Sequence, residues 1–192
     1  EKLFLKGEKC FSAKCPLVKR NFPPGVHGNK RAPKLTNYGQ QLKEKQKAKR
    51  MYGLREKQFR NYFTKSFQKT GNTSEWLFRF LESRLDNTVY RLGLASSRIK
   101  ARQLVNHGHF TVNGKKVNIP SFGVKTGDEI KIKDNKANKK VFEGLEETLK
   151  NKKETAPWLS LSGLAGKVTS LPKLGDLDTG IDWQTIIEFY SK

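Results

Sequence analysis

Apolar positions near the middle of the chain follow the spacing of a helix. Ala101, Leu104 and Val105 recur at helical intervals and would face a core. Ser96 or Ser97 stands just before them, and its hydroxyl can accept a hydrogen bond from an unpaired backbone N–H at the start of the helix. The polar positions would lie on the opposite face: Arg98, Lys100, Arg102 and Gln103. The pattern predicts a short amphipathic helix with a basic outer face.

The spacing changes to that of strands beyond Gly108, a residue suited to ending a helix in a left-handed turn. Apolar residues then alternate on both sides of Asn113-Gly114, the commonest signal for a two-residue hairpin turn. Ile130 and Ile132 alternate again after a further turn, which indicates a third strand. We therefore expect a small antiparallel sheet after the helix.

Helical patterns also fill residues 37–69 and 73–92. The first stretch is divided at Gly53, and its second half carries an aromatic stripe, which is more typical of a core than of a base-stacking surface. The members of this stripe are Phe59, Tyr62, Phe63 and Phe67. The second stretch steps through leucines and a valine at helical intervals and ends at Gly93, so it supplies a further helix beside the predicted sheet.

The remaining patterns set the fold class and the domain organisation. Residues 134–155 are charged and helix-prone, two short strand-like runs follow, and the last ten residues are too apolar for a loose tail. We expect this end to dock on the N-terminal helices, which gives an α+β fold in which a module is inserted into a discontinuous, mainly helical domain. The predicted parts are an irregular basic arm (1–36), a helical domain (37–82, completed by 183–192), a module of two helices packed on a small antiparallel sheet (83–150), and short strands and loops packing between the two (151–182).

The net charge of the chain indicates what kind of molecule it binds. The chain has 39 Lys and Arg residues against 18 Asp and Glu residues, a net charge of +21. Acids and bases balance over 134–192, so the whole surplus lies in residues 1–133. This imbalance favours a polyanion, because each phosphate that a protein neutralises releases condensed counterions. An anionic membrane surface is a weaker alternative, since no apolar run is long enough to span a bilayer and no signal-peptide pattern opens the chain.

Residues for catalysis are sparse. The sequence has no glycine-rich phosphate loop, no nucleophile elbow and no clustered pair of acids. His107 and His109 flank the expected helix end without obvious catalytic partners. Cys10 and Cys15 are the only cysteines, and two nearby thiols fit half of a metal site, a small disulfide or two free thiols. We expect a protein that is not an enzyme and has two free thiols.

Several strings of this sequence resemble the S-four family, small-subunit ribosomal protein four, of the bacterial or organellar type. Residues 82–121, ESRLDNTVYRLGLASSRIKARQLVNHGHFTVNGKKVNIPS, are similar to the RNA-binding module of that family. NFPPGVHGNKR at 21–31, YGQQLKEKQKAKRMYGLREKQFRNYF at 38–63 and IIEFYS at 186–191 extend the resemblance over almost the whole chain. Their common order and spacing make the resemblance specific.

The resemblance implies a structural component of the small ribosomal subunit that binds its RNA directly, nucleates early assembly and lies near the messenger entry. It also implies small-subunit proteins three and five as neighbours, possible contact with messenger RNA, and a cytoplasmic location in a bacterial-type ribosome, with an organellar ribosome as the other option. The family often carries four cysteines that hold zinc or an iron–sulfur cluster. Cys10 and Cys15 match the second pair, so a metal is expected only if an upstream pair exists, and no cofactor is otherwise required. The alternatives are a free-standing RNA chaperone and a subunit of an RNA-modifying enzyme that uses the same module.

The candidate RNA contacts are cations and polar side chains in both halves of the chain, because phosphates and exposed bases are what side chains reach in folded RNA. In the module they are Arg84, Asn87, Arg91, Arg98, Lys100, Arg102, Gln103, His107, Asn113, Lys115 and Lys116. In the arm and the helical domain they are Arg20, Arg31, Lys43, Lys47, Arg50, Lys57 and Arg60.

Overall fold

The structure is a computed structural model of the chain that describes residues 2–30, 34–137, 139–150 and 155–191. Its α-helices are Pro16–Lys19 (α1), Asn37–Met51 (α2), Glu56–Phe67 (α3), Thr73–Glu82 (α4), Leu85–Leu92 (α5), Arg98–Asn106 (α6), Asp134–Ala137 (α7), Leu145–Lys150 (α8) and Trp183–Tyr190 (α9). Short 3₁₀ helices lie at Gly7–Cys10, Lys140–Phe142 and Leu174–Asp176. No helix in the described part of the chain is both long and apolar enough to cross a membrane.

The strands form one antiparallel sheet. They are Phe110–Val112 (β1), Lys115–Lys116 (β2), Glu129–Ile132 (β3), Leu159–Ser162 (β4) and Ala165–Val168 (β5), in the order β2-β1-β3-β5-β4. β1 pairs with β3 in the register Val112↔Ile130, and β3 pairs with β5 in the register Ile130↔Gly166. The C-terminal strands therefore extend the sheet of the module, and the expected α+β class is confirmed.

Local signals set the ends of the central elements. The hydroxyl of Ser97 accepts a hydrogen bond from the backbone N–H of Lys100 at 3.2 Å, which caps α6. α6 ends at Asn106, and Gly108, two residues beyond, takes the expected left-handed conformation with φ 62°. Asn113 and Gly114 both have positive φ, at 50° and 77°, as the two central residues of a primed hairpin turn require. These three expectations are confirmed.

Two expected helices are interrupted. The run from 73 to 92 breaks after Glu82, where Leu85 donates its N–H to the Phe122 carbonyl and Val124 donates to the Ser83 carbonyl. The chain exchanges helical hydrogen bonds for this contact with the loop that follows β2. The single helix expected over 134–155 is also wrong among the described residues, because the chain leaves the helix to bury Phe142.

One hydrophobic core runs through both halves of the protein. In the helical half it contains Phe59, Leu77 and Phe78, and in the module α5 and α6 bury Leu92 and Val105. The aromatic stripe of α3 is core at Phe59 and Phe63, whereas Phe67, near the end of α3, is exposed. The two halves thus fold against each other.

The C-terminal helix α9 lies against α2 and α4. The ring of Tyr190 stacks on that of Phe63 with centroids 4.7 Å apart, and its hydroxyl donates to Glu56 at 2.8 Å. Lys45 and Lys49 also donate to the Glu56 carboxylate, at 3.0 and 3.1 Å. One carboxylate therefore ties α2, α3 and α9 together.

Acid should weaken this connection. Desolvation by itself would raise the pKa of Glu56, but the hydrogen bonds from Lys45, Tyr190 and Lys49 lower it from 4.5 to about 2. Because the folded pKa lies below the unfolded one, Glu56 contributes stability above pH 4.5 and loses that contribution as the pH falls towards about 2. The carboxylate is 46% exposed, so we expect no more than about 1 kcal/mol.

Urea denaturation at a series of pH values, followed by the intrinsic tryptophan fluorescence to which buried Trp158 and Trp183 contribute, measures this contribution. The stability of Glu56→Gln should depend less on pH than that of the original protein over the same interval. Identical pH profiles would remove the Glu56 carboxylate from the docking of α9.

Candidate nucleic-acid interface

A fully buried carboxylate on the last turn of α4 collects donors from several elements. Glu82 accepts hydrogen bonds from the Tyr52 hydroxyl at 2.6 Å, from the Asn87 amide at 2.8 Å and from two guanidinium nitrogens of Arg91 at 2.9 Å. Arg98 lies 3.9 Å away and is fixed by Asn87, to which its Nε donates at 2.7 Å. Burial alone would raise the pKa of Glu82, but Arg91, Arg98 and Tyr52 lower it below its ordinary value.

A second buried carboxylate lies four residues further along the chain, in the first turn of α5. Asp86 accepts from Nε and Nη2 of Arg84, at 3.0 and 2.8 Å, and from Nε and Nη2 of Arg102, at 2.9 and 2.7 Å. Arg102 also donates to the backbone carbonyls of Tyr52 and Gly53 beyond the end of α2. The arginine therefore joins α6 to the helical half of the protein. We call the two acids and their donors the buried ionic network.

This network changes the role of five predicted RNA contacts: Arg84, Asn87, Arg91, Arg98 and Arg102. Arg84 and Asn87 are 4% and 1% exposed, so their assignment to the RNA surface is replaced by a structural one. Arg91, Arg98 and Arg102 are partly buried and already paired with carboxylates. The physical reason is that a buried carboxylate needs charged, hydrogen-bonded partners. Sequence reasoning missed Glu82 and Asp86, although two acids four residues apart among arginines were a visible signal.

The outer face of α6 keeps its polar residues exposed. Lys100, Gln103 and His107 follow one another at intervals of three and four residues and lie on one side of the helix. Lys116 from β2 lies against the end of α6, since a Cβ on Gly108 would be 2.6 Å from its Cε. We call Lys100, Gln103, His107 and Lys116 the α6 ridge.

The hairpin beside the ridge adds one cation and one structural residue. Lys115 is exposed. The Asn113 side chain donates to Asp128 at 2.8 Å and accepts from the Glu129 N–H at 2.9 Å, so it holds the turn against β3. Asn113 therefore shapes this surface, and its own amide group is already engaged.

Lysines after β3, which the sequence reasoning passed over, also lie beside the ridge. Lys136 donates to the His107 carbonyl at 2.7 Å. Desolvation and the positive charges of Lys139, Lys116 and Lys133 lower the pKa of Lys136. A group of like charges that disfavour one another's protonated forms is stabilised when an anion binds among them.

His109 is buried near these lysines, and its Nδ1 atom has no hydrogen-bond partner in the described residues. Desolvation, Lys136, Lys139 and His107 lower its pKa, which favours the neutral ring. Its ring packs edge-on against Phe142 with centroids 5.5 Å apart. His109 therefore acts here as a core residue.

The helical half presents a second group of exposed cations. Lys43 and Arg50 lie seven residues apart on α2, and Lys57 and Arg60 lie three apart on α3, so each pair shares one helix face. We call these four residues the α2–α3 surface. Lys47, also predicted as an RNA contact, is mostly buried and lies 3.8 Å from Glu44.

Two predicted contacts belong to the arm. Arg20 is exposed just after α1. Arg31 lies outside the described residues.

The cysteines do not complete a metal site in the described part of the chain. Cys15 is buried, Cys10 is partly exposed and accepts a hydrogen bond from the Lys6 N–H at 3.3 Å, and both are free thiols. No group of three or more His, Cys, Asp or Glu residues suited to a metal is found among the residues that the structure describes. Two thiols supply only half of the ligands of a structural zinc ion.

Two family models together match most of the chain. The one described as "Ribosomal protein S4/S9 N-terminal domain" matches residues 1–82, and the one described as "S4 domain" matches residues 83–130.

Curated bacterial proteins are similar to this chain over its full length. "Small ribosomal subunit protein uS4A" of Alkaliphilus metalliredigens is 54% identical over 193 residues, which cover 100% of this chain and 92% of the relative. "Small ribosomal subunit protein uS4" of Clostridioides difficile is 50% identical and that of Thermus thermophilus is 49% identical, with the same coverage.

Proposed function

Because this chain belongs to the uS4 family of small ribosomal subunit proteins, we propose that the α6 ridge and the α2–α3 surface bind small-subunit ribosomal RNA directly. The chain is a structural component of the small ribosomal subunit and is not an enzyme. The expected RNA-binding function and the resemblance to the S-four family are therefore confirmed.

The main support for the two proposed surfaces is that some cations are paired inside the protein while others are exposed. Arginines of the module neutralise buried carboxylates and hold the halves together, whereas the lysines of the α6 ridge and the four cations of the α2–α3 surface remain exposed. Two basic surfaces are thus fixed relative to each other before RNA arrives, which reduces the entropy lost on binding.

Folded RNA fits a protein of this kind. The major groove of A-form RNA is too deep and narrow for side chains, which reach phosphates, 2′-hydroxyls and exposed bases instead. Contacts to phosphates fix position and orientation, while the shape of the RNA provides selectivity. Two surfaces set apart on a rigid body would recognise a junction of RNA helices by the arrangement of its phosphates.

The proposal extends to the time at which the protein binds and to its position in the subunit. A protein that fixes a junction through two surfaces would act early in subunit assembly, because it stabilises RNA structure on which later contacts depend. The family resemblance supports the further proposal that it lies near the messenger entry, within reach of messenger RNA and beside small-subunit proteins three and five, in a bacterial-type ribosome in the cytoplasm.

Sedimentation tests the structural role. The protein should co-migrate with small subunits through a sucrose gradient at physiological salt, because a resident component stays bound during the run. Lysozyme, a basic protein without this fold, serves as the control for non-specific attachment. A chain that remains at the top of the gradient while the subunits stay intact would favour a transient RNA chaperone or a subunit of an RNA-modifying enzyme.

A further inference from the structure

A cleft of about 140 Å³ lies where the arm, the end of α2 and the start of α6 meet. Its walls include Phe4 and Leu5 of the arm, Arg50 and Met51 of α2, and Ile99 of α6. We propose that this cleft binds a single unpaired base of the ribosomal RNA. The inference rests on the proposed RNA binding and adds a site for one base between the two basic surfaces.

The size of the cleft favours one ring system. Pockets for drug-sized ligands measure about 300–1,000 Å³, and this cleft is well below that range. An unpaired base at an RNA junction is flat and largely apolar on its faces, and proteins that bind RNA commonly accept such bases between side chains.

The walls carry apolar surface that a base would cover. Ile99, in the first turn of α6, is 57% exposed, and Phe4, which lines the same cleft, is 47% exposed. Covering both side chains removes apolar surface from water, which is favourable by about 25 cal/mol per Å². The neighbouring residues of the ridge are all polar, so Ile99 is the apolar exception on this side of α6.

The floor of the cleft is rigid. The Arg98 guanidinium lies 5.0 Å from the ring centroid of Tyr52 and 4.7 Å from that of Tyr90, and Asn87 fixes its Nε. Aromatic rings and guanidinium planes are the groups on which proteins stack bases. Because Tyr52 and Arg98 belong to the buried ionic network, Arg98 is held in place beneath the cleft before a base enters.

The arm wall is held in place by a close backbone contact. Gly7 has φ 59°, and a Cβ there would lie 2.6 Å from the carbonyl oxygen of Ser96, just before α6. Phe4 itself has φ 49°, which is uncommon for a bulky residue, and its ring stacks on Phe11 with centroids 4.9 Å apart. This part of the arm is thus built against the module and shapes one side of the cleft.

The charge at the rim selects a nucleotide over an apolar peptide. The Arg50 side chain is exposed, and its guanidinium has no ion-pair or hydrogen-bond partner among the described residues. Lys100, next to Ile99, is exposed as well. A base in the cleft would place its flanking phosphates near these two cations, whereas an apolar peptide would leave them uncompensated.

Replacement of Ile99 by alanine tests the site. Phosphate contacts give binding a strong salt dependence, while insertion of a base contributes a term that depends little on salt. We expect Ile99→Ala to weaken binding to small-subunit RNA by about 5-fold or more at every salt concentration, with an unchanged slope of log K against log salt. Ile119→Ala is the matched control, since Ile119 is 56% exposed in the loop after β2, outside the cleft lining.

A second variant separates failure of this inference from failure of the proposed function. Lys100→Ala should reduce the salt slope by roughly one unit because it removes a phosphate contact. If the original protein does not bind the RNA, the proposed function fails. If Lys100→Ala reduces the slope while Ile99→Ala binds like the original protein, the proposed function stands and the base site is overturned.

Photochemical cross-linking gives an independent readout. Small-subunit RNA irradiated with short-wave ultraviolet light, which cross-links unmodified bases, should cross-link to peptides that include residues 4–5 or 98–102, and Ile99→Ala should reduce the yield of these peptides. Cross-links confined to other peptides, or capture of a neighbouring ribosomal protein at this cleft in small subunits, would overturn the proposal.

Discussion

Replacement of Glu82 by glutamine should lower the free energy of unfolding by about 3–5 kcal/mol, the usual cost of removing one partner of a buried ion pair. Glu82 is fully buried and accepts from Tyr52, Asn87 and Arg91. The neutral amide would leave the Arg91 and Arg98 charges without their counterion inside the protein. Urea denaturation followed by the fluorescence of buried Trp158 and Trp183 measures the change.

Glu75→Gln is the matched control for this variant. Glu75 lies on the same helix and pairs with Arg79 at 2.6 Å, but this pair is partly exposed, and its loss should cost less than about 1 kcal/mol. Since the pKa of Glu82 is lowered on folding, its contribution is present above the unfolded pKa and is lost as the pH falls through the lower folded value. The difference between Glu82→Gln and the original protein should therefore shrink in acid. If Glu82→Gln and Glu75→Gln had the same free energy of unfolding, the buried ionic network would be dispensable for stability.

Reversal of two arginine charges on α6 should act mainly by lowering the stability of the fold, and only indirectly on RNA binding. Arg98→Glu with Arg102→Glu would place new carboxylates beside Glu82 and Asp86, because Arg102 lies 2.7 Å from Asp86 and Arg98 lies 3.9 Å from Glu82. We expect a loss of at least about 5 kcal/mol, as the variant breaks two buried pairs and adds repulsion. The RNA affinity should fall because the folded population falls.

A control variant makes the same change in net charge, but at two exposed residues of the α6 ridge. Lys100→Glu with Lys116→Glu should keep the unfolding free energy within about 1 kcal/mol of the original protein, since surface substitutions usually cost little. It should nevertheless weaken RNA binding and reduce the salt slope by roughly two units, one for each lost phosphate contact. Denaturation curves and filter binding at several salt concentrations distinguish the variants. A stable arginine variant that loses only RNA binding would restore Arg98 and Arg102 to the RNA surface.

These outcomes depend on which side chains are exposed, and the sequence could predict that only in part. Lys100, Gln103 and His107 follow a simple helical spacing, so their common exposed face was visible before the structure. Arg98 and Arg102 fit the same face by spacing alone. Their partners lie elsewhere in the chain, at Glu82 and Asp86, and a helical pattern carries no information about such distant contacts.

The sequence was also unable to predict which strands pair over long distances in the chain. The sequence predicted short strands after residue 155, but it could not indicate their neighbour. The register Glu129↔Lys167 joins them to the sheet of the module, with an intervening stretch that contains helices. Short strands pair through backbone groups that are alike in every residue, so the partner is set by packing of the whole fold.

The sequence by itself determined part of the local structure and favoured one chemical class of partner. A serine cap at Ser96 or Ser97, the Asn113-Gly114 turn and the helical spacing of the apolar positions in α6 depend on neighbouring residues, and the excess of positive charge favours a polyanion whatever the fold. Only the tertiary structure decided which cations remain available to that polyanion. The reason is physical, because an arginine can either face solvent or neutralise a buried carboxylate. The packing of α6 on α5 and on the end of α2 decides which of these roles each arginine takes.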